Sequence, residues 1–127
     1  MIPAVNDHNN RTKVVELILV MSSARIEIDN AIKINNGKLP IDPKFINHDM
    51  KIGKYKDMFA DNGEEVFVEY FDINQNGKIS LLASGLNVYI ELTPVLENGE
   101  VIQWQCYGSL RKMMPSMCQN EKLITSS

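Results

Sequence analysis

The sequence predicts an α+β fold in which one long N-terminal amphipathic helix packs on a four-stranded antiparallel sheet, followed by a C-terminal disulfide loop. Three observations support this prediction. Apolar residues recur at helical spacing from about residue 12 to residue 34. Four strand-like runs follow between residues 66 and 107, and Asn-Gly pairs lie at two of their junctions. The only two cysteines are Cys106, in the last run, and Cys118, shortly after it.

Length and composition agree with a single domain. A chain of 127 residues is close to the usual domain size, so residues 1–127 are predicted to form one globular domain. Hydrophobic residues make up 44% and charged residues 23%, which excludes a disordered chain. The longest apolar runs in this sequence are too short to cross a membrane. A net charge of -3 lacks the excess of basic residues that is typical of nucleic-acid-binding domains.

The predicted helix extends from about Thr12 to Ile34. Its core-facing residues are spaced alternately three and four apart, with charged and polar residues on the opposite side. They are Val14, Leu17, Met21, Ala24, Ile28 and Ala31. Asn35, Asn36 and Gly37 tolerate left-handed backbone, and the Pro40 that follows ends the helix. Asn10 is interpreted as the residue that caps the helix start.

Further apolar residues make the helix more hydrophobic than packing on one sheet requires. These residues are Val15, Ile18, Leu19, Val20 and Ile26. One interpretation is a deeply buried core helix, and the spacing alone favours it because apolar stripes are usually core. The other is that one stripe packs on the sheet while a neighbouring stripe contacts other molecules.

The segment from Ile41 to about Gly63 has no clean hydrophobic period and is predicted to be a long irregular connection. Pro40, Pro43 and Gly53 interrupt it. Its charges are of both signs, so a solvated loop is the favoured interpretation.

The strand region begins after this connection. The predicted strands are Val66–Phe71, Lys78–Ala83, Leu86–Thr93 and Glu100–Tyr107. The third alternates almost perfectly, which places Leu86, Val88, Ile90 and Leu92 on one face. Asn76-Gly77 and Asn98-Gly99 suit tight hairpin turns.

The segment Asp72–Gly77 also matches the first half of a calcium-binding loop, with oxygen ligands at alternate positions and Gly at the sixth. The twelfth position is Ala83, so the carboxylate that completes the cation shell is missing. A hairpin is therefore favoured over a calcium site, which stays open as the lesser alternative.

The cysteine spacing favours a disulfide that folds the C-terminal segment back on the sheet. Closing a loop of about 13 residues would stabilise the fold by roughly 3 kcal/mol. Such bonds persist in oxidising compartments. Two cysteines do not make a disulfide-dense scaffold, so most of the stability must come from the hydrophobic core.

Catalytic and metal-binding patterns are missing from the sequence. His8 and His48 have no spacing typical of a metal pair, and a disulfide-bonded cysteine cannot act as a nucleophile. The chain contains no phosphate-binding loop and no nucleophile elbow. We therefore predict that it is not an enzyme and that it uses no cofactor or metal.

The order of these features resembles that of type IV pilins. Met1-Ile2-Pro3-Ala4 leads directly into the helix, and the irregular connection and strands follow. The chain ends with the pattern of Trp104, Cys106, Pro115 and Cys118, which is similar to the family's C-terminal disulfide loop. Val5 and His8 depart from the resemblance, because many pilins have aromatic residues there.

This resemblance implies a pilin-like roll and a structural subunit of an extracellular bacterial fibre used for adhesion, twitching motility or DNA uptake. It implies that about 20 apolar residues would precede Met1, anchoring the subunit in the inner membrane before assembly and packing in the fibre core afterwards. The partners would be other pilin subunits, and a host surface or DNA are further candidates. Without the apolar segment, the chain is expected to be monomeric.

Two alternatives accompany this interpretation. One is a minor pilin that binds DNA or a surface through a weak basic patch, formed by Lys51, Lys54 and Lys56 of the long connection with Arg111 and Lys112 of the disulfide loop. The other is a type II secretion pseudopilin. The cysteine pair argues against it, since most pseudopilins lack this loop.

Overall fold

A computed structural model describes residues 3–48, 50–109 and 111–119, and it has an α+β architecture. One long helix, α1 (Pro3–Ile34), is followed by a short 3-10 turn at Pro43–Phe45 and by five strands. The strands are β1 (Gly53–Phe59), β2 (Glu65–Ile73), β3 (Ile79–Ser84), β4 (Val88–Glu97) and β5 (Glu100–Gly108). Two further 3-10 turns, Arg111–Met113 and Ser116–Cys118, lie after β5.

The strands form one antiparallel sheet in the order β1-β2-β3-β4-β5. The predicted antiparallel sheet is thus confirmed, but it has five strands rather than four. The additional strand, β1, lies within the segment that was predicted to be irregular. Tyr55 is the only buried residue of β1, and its pairing with β2 is irregular between Lys54 and Phe59. A charged edge strand of this kind does not alternate, so its sequence carries little strand signal.

The helix also begins earlier than predicted, at Pro3 rather than about Thr12. Proline suits the first turn of a helix because that turn does not need its N–H. Asn10 therefore lies within the helix, and its capping role was wrong. Its side-chain oxygen instead accepts a hydrogen bond of 3.1 Å from the backbone N–H of Asp61.

The core lies between α1 and one face of the sheet. On the helix, the buried residues include five of the predicted six, namely Val14, Leu17, Met21, Ala24 and Ile28. The sixth, Ala31, is partly buried at the margin, and Ile32 takes the next position in the core. A step of four from Ile28 keeps Ile32 on the same face.

The sheet contributes its inner side chains by alternation. Val66 and Val68 of β2, Leu81 and Ala83 of β3, and Val88, Ile90 and Leu92 of β4 are all buried. Leu86 is buried as well, although it lies in the turn before β4.

Left-handed backbone in one case and side-chain hydrogen bonds in the other explain the two hairpins that the Asn-Gly pairs predict. Asn98 and Gly99 have φ of 54° and 80°, the left-handed backbone that a two-residue β4–β5 turn requires. In the β2–β3 loop, the side-chain oxygen of Asn74 accepts hydrogen bonds of 2.9 and 3.0 Å from the backbone N–H groups of Asn76 and Lys78. These bonds close the turn.

Candidate functional site

The side of α1 that faces away from the core carries two exposed aliphatic side chains among polar residues such as Ser23 and Asn30. Leu19 is 66% exposed and Ile26 is 69% exposed, seven residues apart and therefore on one side of the helix. Val15, one turn before Leu19, is half-buried, and Lys33, seven residues after Ile26, is exposed. We call Val15, Leu19, Ile26 and Lys33 the outer stripe.

Some of the additional apolar residues that the sequence places on the helix lie in the core or at its margin, and others lie on the outer stripe. Ile18 is buried, and Val20 packs against the margin of the core. Leu19 and Ile26 are left in solvent. An exposed leucine on its own is ordinary, and the alignment of two large aliphatic side chains makes this side of the helix the candidate contact surface.

Polar contacts on one flank of the outer stripe attach the helix to β1. The Glu16 carboxylate accepts a hydrogen bond from the Tyr55 hydroxyl at 3.0 Å and lies 3.4 Å from the Lys56 ammonium. Burial, followed by the bond to Glu16, raises the pKa of Tyr55 to about 12. Lys13 forms a second link to this side, an ion pair of 3.2 Å with Asp61.

The other flank attaches the helix to β5. The indole N–H of Trp104 donates a hydrogen bond of 3.3 Å to Asp29. The Arg25 guanidinium lies 5.9 Å from the centre of the Trp104 ring, within the range of a cation–π contact. Because both flanks are fixed to the sheet, the outer stripe is held in one orientation.

The disulfide loop is the second candidate element. Cys106 of β5 is bonded to Cys118, and both residues are buried, which confirms the predicted bond. The loop also contacts the helix, since the Arg11 guanidinium donates a 2.9 Å hydrogen bond to the backbone carbonyl of Lys112. The disulfide therefore holds in place a segment that contacts both α1 and the edge of the sheet.

Of the basic residues proposed for a DNA or surface patch, the lysines of the long connection lie apart from Lys112. Lys54 pairs with Glu65 at 2.9 Å, which raises the Lys54 pKa, and Lys56 pairs with Glu16. These two lysines lie on β1, and Lys51 precedes it, at the sheet edge opposite β5 and the disulfide loop with its exposed Lys112. The side chain of Arg111 lies outside the described part of the structure.

The calcium alternative receives no support from the loop geometry. The Asn74 oxygen that would face a cation instead holds the β2–β3 turn, while Asp72 is exposed. Among the residues whose side chains the structure describes, no three His, Cys, Asp or Glu cluster as metal ligands would.

Sequence reasoning identified Leu19 and Ile26 as surplus apolar residues but could not say which of the surplus residues are exposed. It missed the bond between Tyr55 and Glu16, because β1 itself was not recognised.

No helix within the described ranges is both long enough and apolar enough to cross a membrane. Comparison of the chain with family models, with curated proteins and with solved structures gave no match.

Proposed function

We propose that this chain is the globular part of a structural subunit of a type IV pilus, and that it acts by assembly rather than by catalysis. The observation that carries the proposal is the two-sided helix. Leu17 and Met21 are buried against the sheet, while Leu19 and Ile26 face solvent on the opposite side. A subunit of a fibre needs one apolar face to fold and another to meet its neighbours.

The disulfide agrees with this role, because such a bond between buried cysteines persists in an oxidising compartment and is rare in the cytosol. In the proposed role, an apolar helical segment preceding Met1 anchors the subunit in the inner membrane before assembly. The mature fibre is extracellular and serves adhesion, twitching motility or DNA uptake.

The DNA-binding alternative has less support. Affinity for DNA requires several cations on one surface, whereas Lys54 and Lys56 are already paired with carboxylates. The pseudopilin alternative is weakened by the disulfide loop, and the β2–β3 turn uses its polar atoms internally.

The test is to raise antibodies against the purified domain and apply them to cells that encode the protein. The proposal predicts labelled surface filaments along their whole length, and loss of those filaments when the gene is deleted. Label confined to filament tips would favour a minor pilin. Protein found only in the cytoplasm, with Cys106 and Cys118 as free thiols, would rule out the proposed role.

A further inference from the structure

The face of the sheet that points away from α1 carries a second apolar surface. Register pairs Tyr70 of β2 with Leu82 of β3, and Leu82 with Tyr89 of β4. Paired residues share a face, so these side chains form a continuous band across three strands. Tyr70 is 47%, Leu82 41% and Phe67 37% exposed.

Carboxylates border this band. Asp72 of β2 is exposed, and Glu69 accepts a 2.6 Å hydrogen bond from the Ser84 hydroxyl. Neither carboxylate forms an ion pair with any residue in the described ranges. We call Phe67, Glu69, Tyr70, Asp72, Leu82 and Tyr89 the outer sheet face.

A third carboxylate is buried beside the band, on the same face of β4 as Tyr89. Glu91 is 5% exposed, accepts a 2.6 Å hydrogen bond from the Tyr89 hydroxyl and lies 3.7 Å from the Lys78 ammonium. Burial, then the bond to Glu91, raises the pKa of Tyr89 to about 12. The Tyr89 ring is thereby fixed, so the band is a preformed surface.

The outer stripe of α1 complements this surface in chemistry, since aliphatic side chains and a cation face apolar side chains and a carboxylate. It presents Leu19 and Ile26 about 10 Å apart, and Lys33 lies about 10 Å further along. On β2, the bulge between Val68 and Tyr70 shortens the step, so Tyr70 lies about 7 Å from Phe67, and Asp72 lies about 7 Å beyond Tyr70. The steps differ by about 3 Å each, which the broad Phe67 and Tyr70 rings and the long, flexible Lys33 side chain can span. Lys33 has no ion pair of its own among the described residues.

We propose that the outer stripe of one copy of this chain packs on the outer sheet face of a second copy. Leu19 then lies over Phe67, Ile26 over Tyr70 and Leu82, and the Lys33 ammonium meets the Asp72 carboxylate. This contact rests on the proposed function, because it supplies the joint between neighbouring subunits. It uses two different faces of the chain, so its repetition gives a ring or an open row and not a two-fold dimer, and the fibre of the proposed function is the open row.

Other occupants fit the surfaces less well. The unpaired carboxylates of Glu69 and Asp72 repel nucleic acid phosphates. Pairing of two outer stripes would leave Tyr70 and Leu82 exposed and would give Lys33 no acidic partner.

The contact is small compared with the roughly 800 Å² per partner of a stable interface. We therefore expect a dissociation constant on the order of 1 mM for a single contact. Many such contacts in a fibre, held together by the proposed core helices, reinforce one another. A monomer at micromolar concentration is consistent with this value.

Cysteine cross-linking of the purified chain tests the contact. Ile26→Cys and Leu82→Cys proteins, each with the native disulfide intact, are mixed at about 1 mM and treated with a short bismaleimide. Both positions are exposed, so neither change should unfold the domain. We expect mixed dimers at a yield about fivefold above that of Ile26→Cys mixed with Asn62→Cys, whose loop position is exposed and outside both surfaces.

Charge reversal gives the matched control. Lys33→Glu in the Ile26→Cys protein should lower the mixed-dimer yield about fivefold, and Asp72→Lys in the Leu82→Cys protein should restore it. Dominant Ile26→Cys homodimers, or a mixed yield equal to the Asn62→Cys control, would overturn the contact. If antibody-labelled fibres form but this cross-link does not, the proposed contact is wrong and the proposed function still holds. The cross-link in a protein that forms no fibres would do the reverse.

Discussion

The Tyr55 hydroxyl donates a 3.0 Å hydrogen bond to Glu16, and this bond ties the edge strand β1 to α1. Tyr55 is buried while its neighbours Lys54 and Lys56 are exposed. The phenol ring is therefore the part of β1 that enters the core, and its polar end is satisfied by the helix.

Alkaline unfolding should report this contact. The pKa of Tyr55 is raised to about 12, against about 10 for a tyrosine in an unfolded chain. Between these pH values the folded chain keeps a proton that the unfolded chain loses. The contribution of this proton to the free energy of unfolding is therefore fully present below about pH 10. As the pH rises from about 10 to about 12, the free energy of unfolding falls, on the order of 1 kcal/mol per pH unit for each such tyrosine. Tyr89, raised to about 12 in the same way, adds to the slope.

Urea unfolding at a series of pH values measures this slope, with Tyr55→Phe as the variant. Phenylalanine keeps the ring and removes the proton, so the fall above about pH 10 should become shallower. An unchanged slope in Tyr55→Phe would mean that this hydroxyl is not shielded in the folded chain.

The strand β1 also shows where prediction from the sequence fails. The helix, the strands β3 to β5 and the disulfide could be predicted from their patterns, and β2 could be predicted from its β-branched and aromatic residues. In β1 only Tyr55 is buried, and Lys56 has a φ of 51°, so neither alternation nor regular backbone marks the strand. Its place is fixed by tertiary contacts such as the bond to Glu16.

The turn after α1 packs directly against the β4–β5 turn. A Cβ added at Gly37 would lie 2.5 Å from the backbone oxygen of Gly99, and Gly37 has a φ of 73°. We expect Gly37→Ala to destabilise the fold by about 2 to 4 kcal/mol, from backbone strain plus this clash. Gly63→Ala is the control, because Gly63 has a φ of 92° but open space around it, so it should cost only about 1 kcal/mol.

Chemical unfolding of the two variants gives the comparison. Equal losses of stability at Gly37 and Gly63 would mean that the close approach to Gly99 adds nothing beyond local strain.

Removal of the disulfide should cost about 2 to 5 kcal/mol of unfolding free energy, because both sulfurs are buried and the loop carries Met113 and Met114 into the core. The variant is Cys106→Ala/Cys118→Ala, measured by urea unfolding without reductant. A loss below about 0.5 kcal/mol would show that the loop is held by its other contacts, such as the bond from Arg11 to the Lys112 carbonyl.

Calcium should leave the melting temperature unchanged, since the Asn74 side chain is committed to the β2–β3 turn. Asn74→Ala should instead lower stability by about 1 to 2 kcal/mol, through loss of two hydrogen bonds to backbone N–H groups. Thermal unfolding with and without calcium is the measurement. A rise of several degrees that Asp72→Ala abolishes would restore the cation site and move the chain towards the pseudopilins.

The candidate surfaces were less predictable than the fold. The sequence places surplus apolar residues on the helix, but exposure of Leu19 and Ile26 depends on how the helix is rotated on the sheet. The outer sheet face was hidden for a second reason. An irregularity in β2 between Val68 and Tyr70 breaks the alternation, so Glu69 and Tyr70 are both exposed, and simple period-two counting fails there.

The proposed function requires that α1 has a folding face and a separate assembly face. The most direct test compares Leu19→Glu/Ile26→Glu with Leu17→Glu, each supplied as the only copy of the gene in cells that encode this protein. Leu17→Glu places a charge in the core and should unfold the domain. Leu19→Glu/Ile26→Glu should keep the stability of the purified domain within about 0.5 kcal/mol and lower the number of surface filaments per cell about tenfold. Normal filament numbers with the folded double variant would contradict a role of Leu19 and Ile26 in assembly.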